Sequence, residues 1–289
     1  MQLKKKLQAG EFVILAEMEP PKGTDVSSML AAATSVKGKV DAFLVPEMNN
    51  AVMKMSSLGG ALFLQTRGFE TVMQVCCRDR NRLALQGDLL AAQALGVPNV
   101  MAVAGEDVTF GDHHTARAVN DLDLLELLTA IRTLKSGKDM AGVELRGAPA
   151  FTVGSTVNPG GGARAMDLEL AELDEKLAQG AEFFVTPAVF DLEVLEGFKR
   201  RLEGRRVNLI PTVMLLKSVG MARYIERHMP QVKIPAEVIR RIQNASDRVR
   251  ECVKIAGELV RAAKEKGFSG VSISTIGWED KLAAILAAA

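Results

Sequence analysis

An alternation constrains this chain more than any other feature. Short apolar runs recur about eight times along it, and the stretches between them carry helical periodicity. The runs are FVILAE (12–17), VDAFLVP (40–46), ETVMQVCC (70–77), NVMAVAG (99–105), PAFTVG (149–154), EFFVTP (182–187), VNLIPT (207–212) and GVSIST (270–275). Amphipathic stretches such as NRLALQGDLLAAQALG (81–96), DLDLLELLTAIRTLKSG (121–137) and LELAELDEKLAQGA (168–181) lie between them. Strands that alternate with helices pair in parallel, because each crossover returns the chain to the same edge before the next strand starts. The runs are apolar on both faces, as strands covered by helices require. Eight such units in 289 residues predict a single (β/α)8 TIM barrel, a fold of roughly 250 residues. An open doubly wound sheet is the alternative, disfavoured because no GxGxxG follows the first run. No Pro-, Ser- or Gly-rich linker divides the chain, so one domain over residues 1–289 is expected.

Composition removes several function classes. A formal net charge of +1 gives no electrostatic footprint for nucleic acid or an anionic membrane, and one Trp and one Tyr provide no base-stacking platform. Cys76, Cys77 and Cys252 form no CxxC and no metal-ligand spacing, and adjacent strand cysteines point to opposite faces. A reducing cytoplasm is therefore the expected location. MQLKKKLQAGEF carries no apolar core of a signal peptide, and no run approaches the ~20 apolar residues of a membrane span.

Active sites of such barrels gather at the C-terminal ends of the strands. The polar residues there are Glu17, the segment Gln74 to Asp79, the segment Gly105 to Asp107, and Val153 to Gly162. Glu17 and Glu19 share a strand face, since side chains alternate. Such a carboxyl is either a general acid, kept protonated by apolar surroundings, or the cap of a loop or partner of a lysine such as Lys22. Gln74 on an inward face needs a partner, from a ligand or from a neighbouring loop. The glycines of GSTVNPGGGARAMD (154–167) allow a close approach of backbone N–H groups to an anion, and equally suit a flexible lid. Arg78, Asp79, Arg80 and Asn81 form a charged cluster whose Arg-Asp pair fixes the loop more readily than it binds a ligand. His113 and His114 have no third ligand at metal spacing, so no metal site is expected.

These motifs are more specific together than apart. AEMEPPKG after the first run, CCRDRN after the third, and AGED, GDHH and VNDLD after the fourth resemble the methylenetetrahydrofolate reductase family. The likeness continues through QGAEFFVTPAVFD (179–191), LIPTVMLLKS (209–218), VKIPAEVIRRI (232–242) and GVSISTIGWED. The RDRN variant is most similar to forms from acetogenic and other anaerobic bacteria. The resemblance implies a flavin-bearing barrel, with FAD or FMN, that interconverts 5,10-methylenetetrahydrofolate and 5-methyltetrahydrofolate by hydride transfer. It puts the catalytic glutamate on Glu17 and gives Glu106 the place of a family Asp that contacts pterin and flavin, with Asp107 as the competing residue. Flavin contacts carry over to Gln74, Gly105, Glu106, Val119, Gly154, Asn158 and Lys176, the last facing a flavin phosphate. Two departures stand out. A family glutamine that reads the pterin is Pro187 here, and no Arg stands near Trp278 where some members bind folate.

The implied partners are a tetrahydrofolate-type substrate and either NAD(P)H or an electron-transfer protein as donor. Relatives in anaerobes pair with an iron–sulfur and zinc subunit, and such a centre would have to come from a partner, because this chain has no cluster ligands. Oligomerisation stays open. Two rival functions remain at this point. One is a flavin-free barrel methyltransferase that passes the methyl group of methyltetrahydrofolate to a corrinoid protein. The other is a non-catalytic barrel subunit that docks an electron-transfer partner.

Overall fold

Eight parallel strands close on themselves in strict chain order in the computed structural model, which describes residues 2–160, 163–228 and 232–289. They are β1 (Val13–Glu17), β2 (Ala42–Val45), β3 (Thr71–Cys76), β4 (Asn99–Val103), β5 (Thr152–Thr156), β6 (Phe183–Ala188), β7 (Asn208–Met214) and β8 (Gly270–Ser274). Each matches one of the eight apolar runs. The helices are α1 (Gln2–Ala9), α2 (Ser27–Ser35), α3 (Ser57–Gln65), α4 (Arg82–Ala94), α5 (Leu124–Lys135), α6 (Ala163–Ala178), α7 (Glu193–Arg201), α8 (Val219–His228), α9 (Ala236–Asn244), α10 (Arg248–Glu265) and α11 (Leu282–Ala288). The (β/α)8 expectation is met, with α8 and α9 inserted ahead of the last crossover helix α10. None of the described helices is long and apolar enough to cross a membrane.

Alternation along the strands divides the core into two layers. Outward side chains such as Ala16, Phe43, Met73, Val153 and Phe184 pack against the helix ring. Inward side chains, among them Val13, Leu15, Leu44, Val72, Met101, Phe183, Val185 and Ile210, fill the barrel. Leu3 and Leu7 of α1 join that inner cluster and plug the N-terminal end. The plug is held in place by Glu70, which accepts the Leu3 N–H at 3.1 Å. Going up the same inward-facing rows, apolar side chains give way to polar ones. Val13 and Leu15 lead to Glu17, Val72 to Gln74 and Ile210 to Thr212. These rows make the C-terminal mouth polar, while Asn99 and Thr152 are buried polar residues at the opposite ends of β4 and β5.

Gly154 belongs to this packing. A Cβ on it would lie 2.2 Å from the Phe183 ring, so the bare backbone of β5 is what lets that ring occupy the barrel interior.

Candidate active site

The mouth opens as a cleft of about 390 Å³, within the range of small-molecule sites. Leu44, Met101, Val185, Met214 and Ile276 give it apolar surface, while Gln74, Asn158, Thr186, Thr212 and Ser274 bring polar edges, and Glu17, Glu19 and Glu106 line it too. Apolar surface together with hydrogen-bonding groups suits a small heterocycle.

Glu17 ends β1 and lies deep among protein atoms, with only part of it open to the cleft. Burial pushes its carboxyl from the ordinary 4.5 up to about 7. The Ser274 hydroxyl works against this, donating to Oε1 at 2.9 Å, while the charges of Glu19 and Glu279 raise it further and Lys54 lowers it. Lys54 is spent on Glu19, with which it forms an ion pair. So of two glutamates two residues apart, one meets a cation and the other meets burial and a hydroxyl. That difference in surroundings separates an acid from a carboxylate. Burial also raises Glu279. Lys22, considered from sequence as a partner for Glu17, instead pairs with Asp112.

Gln74 is fixed from behind. Its Oε1 accepts the Glu47 N–H at 3.2 Å, so its Nε2, which has no described protein partner, remains as a donor at the cleft. Glu47 is 3 % exposed and accepts from Ser57 N at 2.7 Å and from Arg80 at 2.8 Å. Arg80 also reaches Asp88 at 2.9 Å. Arg78 forms a two-pronged pair with Asp79, at 2.7 Å on each prong, and donates to the Met48 carbonyl at 3.2 Å. The charged cluster after β3 thus ties β2 and β3 loops together, the loop-fixing role that the Arg-Asp pairing suggested.

Glu106 lines the cleft, half-exposed, with Arg78 Nη1 3.4 Å from its Oε2. Asp107 does not line it. Its carboxylate accepts from Thr109 N and Thr109 Oγ1, both at 2.8 Å, and so caps a short 3-10 turn. Gly105 has φ +89, and a Cβ there would fall 2.5 Å from Cys76 Sγ, so only glycine lets the β4 loop turn this close to β3. Val119 is exposed, and its N–H donates to the Arg78 carbonyl at 2.7 Å. Asn158 lines the cleft, its N–H bonded to Glu169 at 2.8 Å. Lys176, 2 % exposed, does not line it. Its ammonium donates to the Thr156 carbonyl at 2.8 Å and pairs with Glu172 at 2.7 Å. Gly161 and Gly162 of the glycine run lie outside the described residues.

Several contributors were not visible in the sequence. Ser274 carries no signal beyond its place at a strand end. Ile276, a β-branched residue at φ +50, also faces the cleft. Lys217 donates to the Ile276 carbonyl and sits 4.9 Å from the Trp278 ring, which clamps this strained turn. The β1, β2 and β4 loops are further joined where Asp112, paired with Lys22, accepts Met53 N at 3.0 Å.

Fold and cleft together define a TIM barrel with a cleft of small-molecule size at its C-terminal mouth, with the buried Glu17 carboxyl in its lining. Among known families, the methylenetetrahydrofolate reductase family matches residues 2–289. The chain belongs to that family. No curated protein matches by sequence. Among solved structures, an uncharacterized protein from Clostridium thermocellum that binds two copies of 5-methyl-5,6,7,8-tetrahydrofolic acid superposes with TM-score 0.66 at 15% identity, covering 100% of this chain and 98% of that one. The EDTA monooxygenase EmoA from Chelativorans sp. BNC1 gives 0.55 at 11% identity, covering 96% and 93%. A 2,3-dimethylmalate lyase gives 0.55 at 12%, covering 98% and 80%. At such identities these likenesses speak for the fold.

Proposed function

We propose that this chain, as one flavin-binding barrel domain, reduces 5,10-methylenetetrahydrofolate to 5-methyltetrahydrofolate, with Glu17 as the general acid. The observation that carries the reading is the Glu17 carboxyl, raised to about 7 by burial so that a large fraction keeps its proton at neutral pH, in a cleft of the right size beside an ion-paired Glu19. Opening the substrate's five-membered ring breaks a carbon–nitrogen bond. The leaving nitrogen takes the Glu17 proton and the carbon is left as a cationic iminium on the other nitrogen. Glu17 becomes a carboxylate, stabilised by the Ser274 hydroxyl already bonded to Oε1. Glu106 faces the same cleft and supplies negative charge toward the cation.

The residues of the cleft fit the ring of the family's flavin, since its apolar lining and the free Gln74 donor suit a heterocycle with carbonyl acceptors. A flavin phosphate on Lys176 does not fit, because that ammonium is enclosed and already bonded to Thr156 and Glu172. When bound, the flavin supplies the hydride that turns the iminium carbon into a methyl group. Gln74, Glu106 and Asn158 are the cleft residues available to hold its ring.

The enclosure of Lys176 favours a second reading, a flavin-free barrel that binds methyltetrahydrofolate for methyl transfer. One anaerobic experiment separates the two. The visible spectrum of the purified protein is recorded before and after adding 5-methyltetrahydrofolate. A flavin band that bleaches and returns with methylenetetrahydrofolate, and that no longer responds in Glu17→Gln, supports the reductase. A colourless protein that binds methyltetrahydrofolate moves the second reading to the front.

A further inference from the structure

The mouth of the barrel continues sideways. β6 slips its register against β7 between Val185 and Ala188, and a bulge of this kind bends a strand and re-aims its last side chains. At this bulge Pro187 and Ala188 line the central cleft and also an adjoining pocket of about 220 Å³. Asn158 and Thr186 line both as well. The two cavities are therefore neighbours with a common wall, which includes Pro187. Beyond it the pocket is lined by Phe190, Leu195 and Lys233, among others.

The two neighbouring cavities differ in the cations they offer. Three acids, Glu17, Glu19 and Glu106, line the centre. The cations around it are already committed, Lys54 to Glu19, Arg78 to Asp79, Lys176 to Glu172 and Lys217 to the Ile276 carbonyl and the Trp278 ring. Lys233 is exposed, and among the described residues no carboxylate pairs with it. Asp191, the acid of the side pocket, accepts the Glu193 N–H at 2.9 Å at the start of α7. The acids of the centre thus leave an anionic group no free counter-charge there, and Lys233 offers one, while Pro187, Ala188 and Phe190 give apolar surface beside it.

We propose that the side pocket holds the anionic tail of the ligand whose heterocycle occupies the cleft over Glu17, with Lys233 as the tail's counter-charge. The identity of that heterocycle rests on the reductase reading. The tail is a carboxylate or a phosphate, two anions that Lys233 recognises in the same way. A folate's glutamyl end would supply the first and a flavin mononucleotide the second.

The test measures dissociation constants of wild type, Lys233→Gln and Lys233→Glu for two matched pairs of probes. One pair is 5-methyltetrahydrofolate and the tail-less 6-methyltetrahydropterin. The other is FMN and riboflavin. Charge reversal is expected to weaken the anionic member of at least one pair by about fivefold or more, leave its neutral partner unchanged, and flatten the salt dependence of binding. A loss within the folate pair assigns the pocket to carboxylates, and one within the flavin pair assigns it to phosphate. No loss, or an equal loss within each pair, overturns the inference while leaving the reductase reading in place. A wild-type protein that binds none of the four probes overturns both. Lys233 is exposed, so matched melting curves are expected for all three proteins.

Discussion

Glu17→Gln offers a test of the acid that needs neither substrate nor cofactor. Raising the carboxyl from 4.5 to about 7 means that ionising it inside the folded protein costs roughly 3 kcal/mol more than in the unfolded chain. The folded state binds the proton more tightly, so its stability is full below pH 4.5. Stability then falls as pH rises toward 7, and stays reduced above it. Glutamine keeps the size of the side chain, and its Oε1 still accepts from Ser274, but it never ionises. The variant should match wild type near pH 4.5 and exceed it near pH 8.5 by up to about 3 kcal/mol, with water in the cleft reducing the figure. At roughly 2 °C per kcal/mol for a chain of this length, the melting temperatures should separate by up to about 6 °C at pH 8.5. Differential scanning calorimetry across pH 4.5–8.5 reads this directly, with urea titration as a check against irreversible melting. Ser274→Ala should move Glu17 in the opposite sense from the hydroxyl's pull, higher still, because a hydrogen bond to a charged group is worth about 1.5–3 kcal/mol. A Glu17→Gln gap that is the same at every pH would refute the claim that this carboxyl is protonated near neutrality.

Other consequences can be checked independently. In turnover assays, kcat/KM for methylenetetrahydrofolate reduction should fall as pH rises above about 7, where the proton on Glu17 is lost, and Ser274→Ala should carry that limb to higher pH. Arg80→Ala leaves the buried Glu47 carboxylate without its cation and should cost about 3 kcal/mol in urea unfolding. Pairing it with Glu47→Gln should recover part of that loss. Gln74→Glu keeps an oxygen for the Glu47 N–H but replaces the donor at the cleft with an acceptor. Flavin affinity by calorimetry should drop about tenfold with little change in stability. Gly154→Ala drives a methyl into the Phe183 ring and should destabilise by about 1–3 kcal/mol in the same urea assay, with Phe183→Leu relieving part of it.

The barrel was legible because its signal is local and repeated. Each strand announces itself by an apolar run such as NVMAV, and parallel pairing follows from the helices between. Glu17 was legible for a related reason, since a charge ending the run VILAE sits at a strand's C-terminal end. What could not be read is what surrounds it. The hydroxyl that meets Glu17 comes from β8, and the lysine that neutralises Glu19 comes from the β2 loop. Lys176 illustrates the converse. The family resemblance gave it a flavin phosphate, but the side chain bonds the Thr156 carbonyl and Glu172. Gly154 likewise reads as a ligand approach in one dimension, and in three it makes room for a ring from the next strand.

The bond between Ser274 and Glu17 joins residues 257 positions apart, across the seam where β8 meets β1. Contacts of such sequence separation carry the largest loop-closure cost and form late in folding. The setting of Glu17, in which burial raises the carboxyl and the β8 hydroxyl tempers that rise, is therefore not inherited from any local segment, and no fragment short of the last strand contains it. During synthesis the first strand's glutamate leaves the ribosome long before its partner. The acid comes into being only when the two ends of the chain meet, so closure of the ring and assembly of the chemistry are a single event.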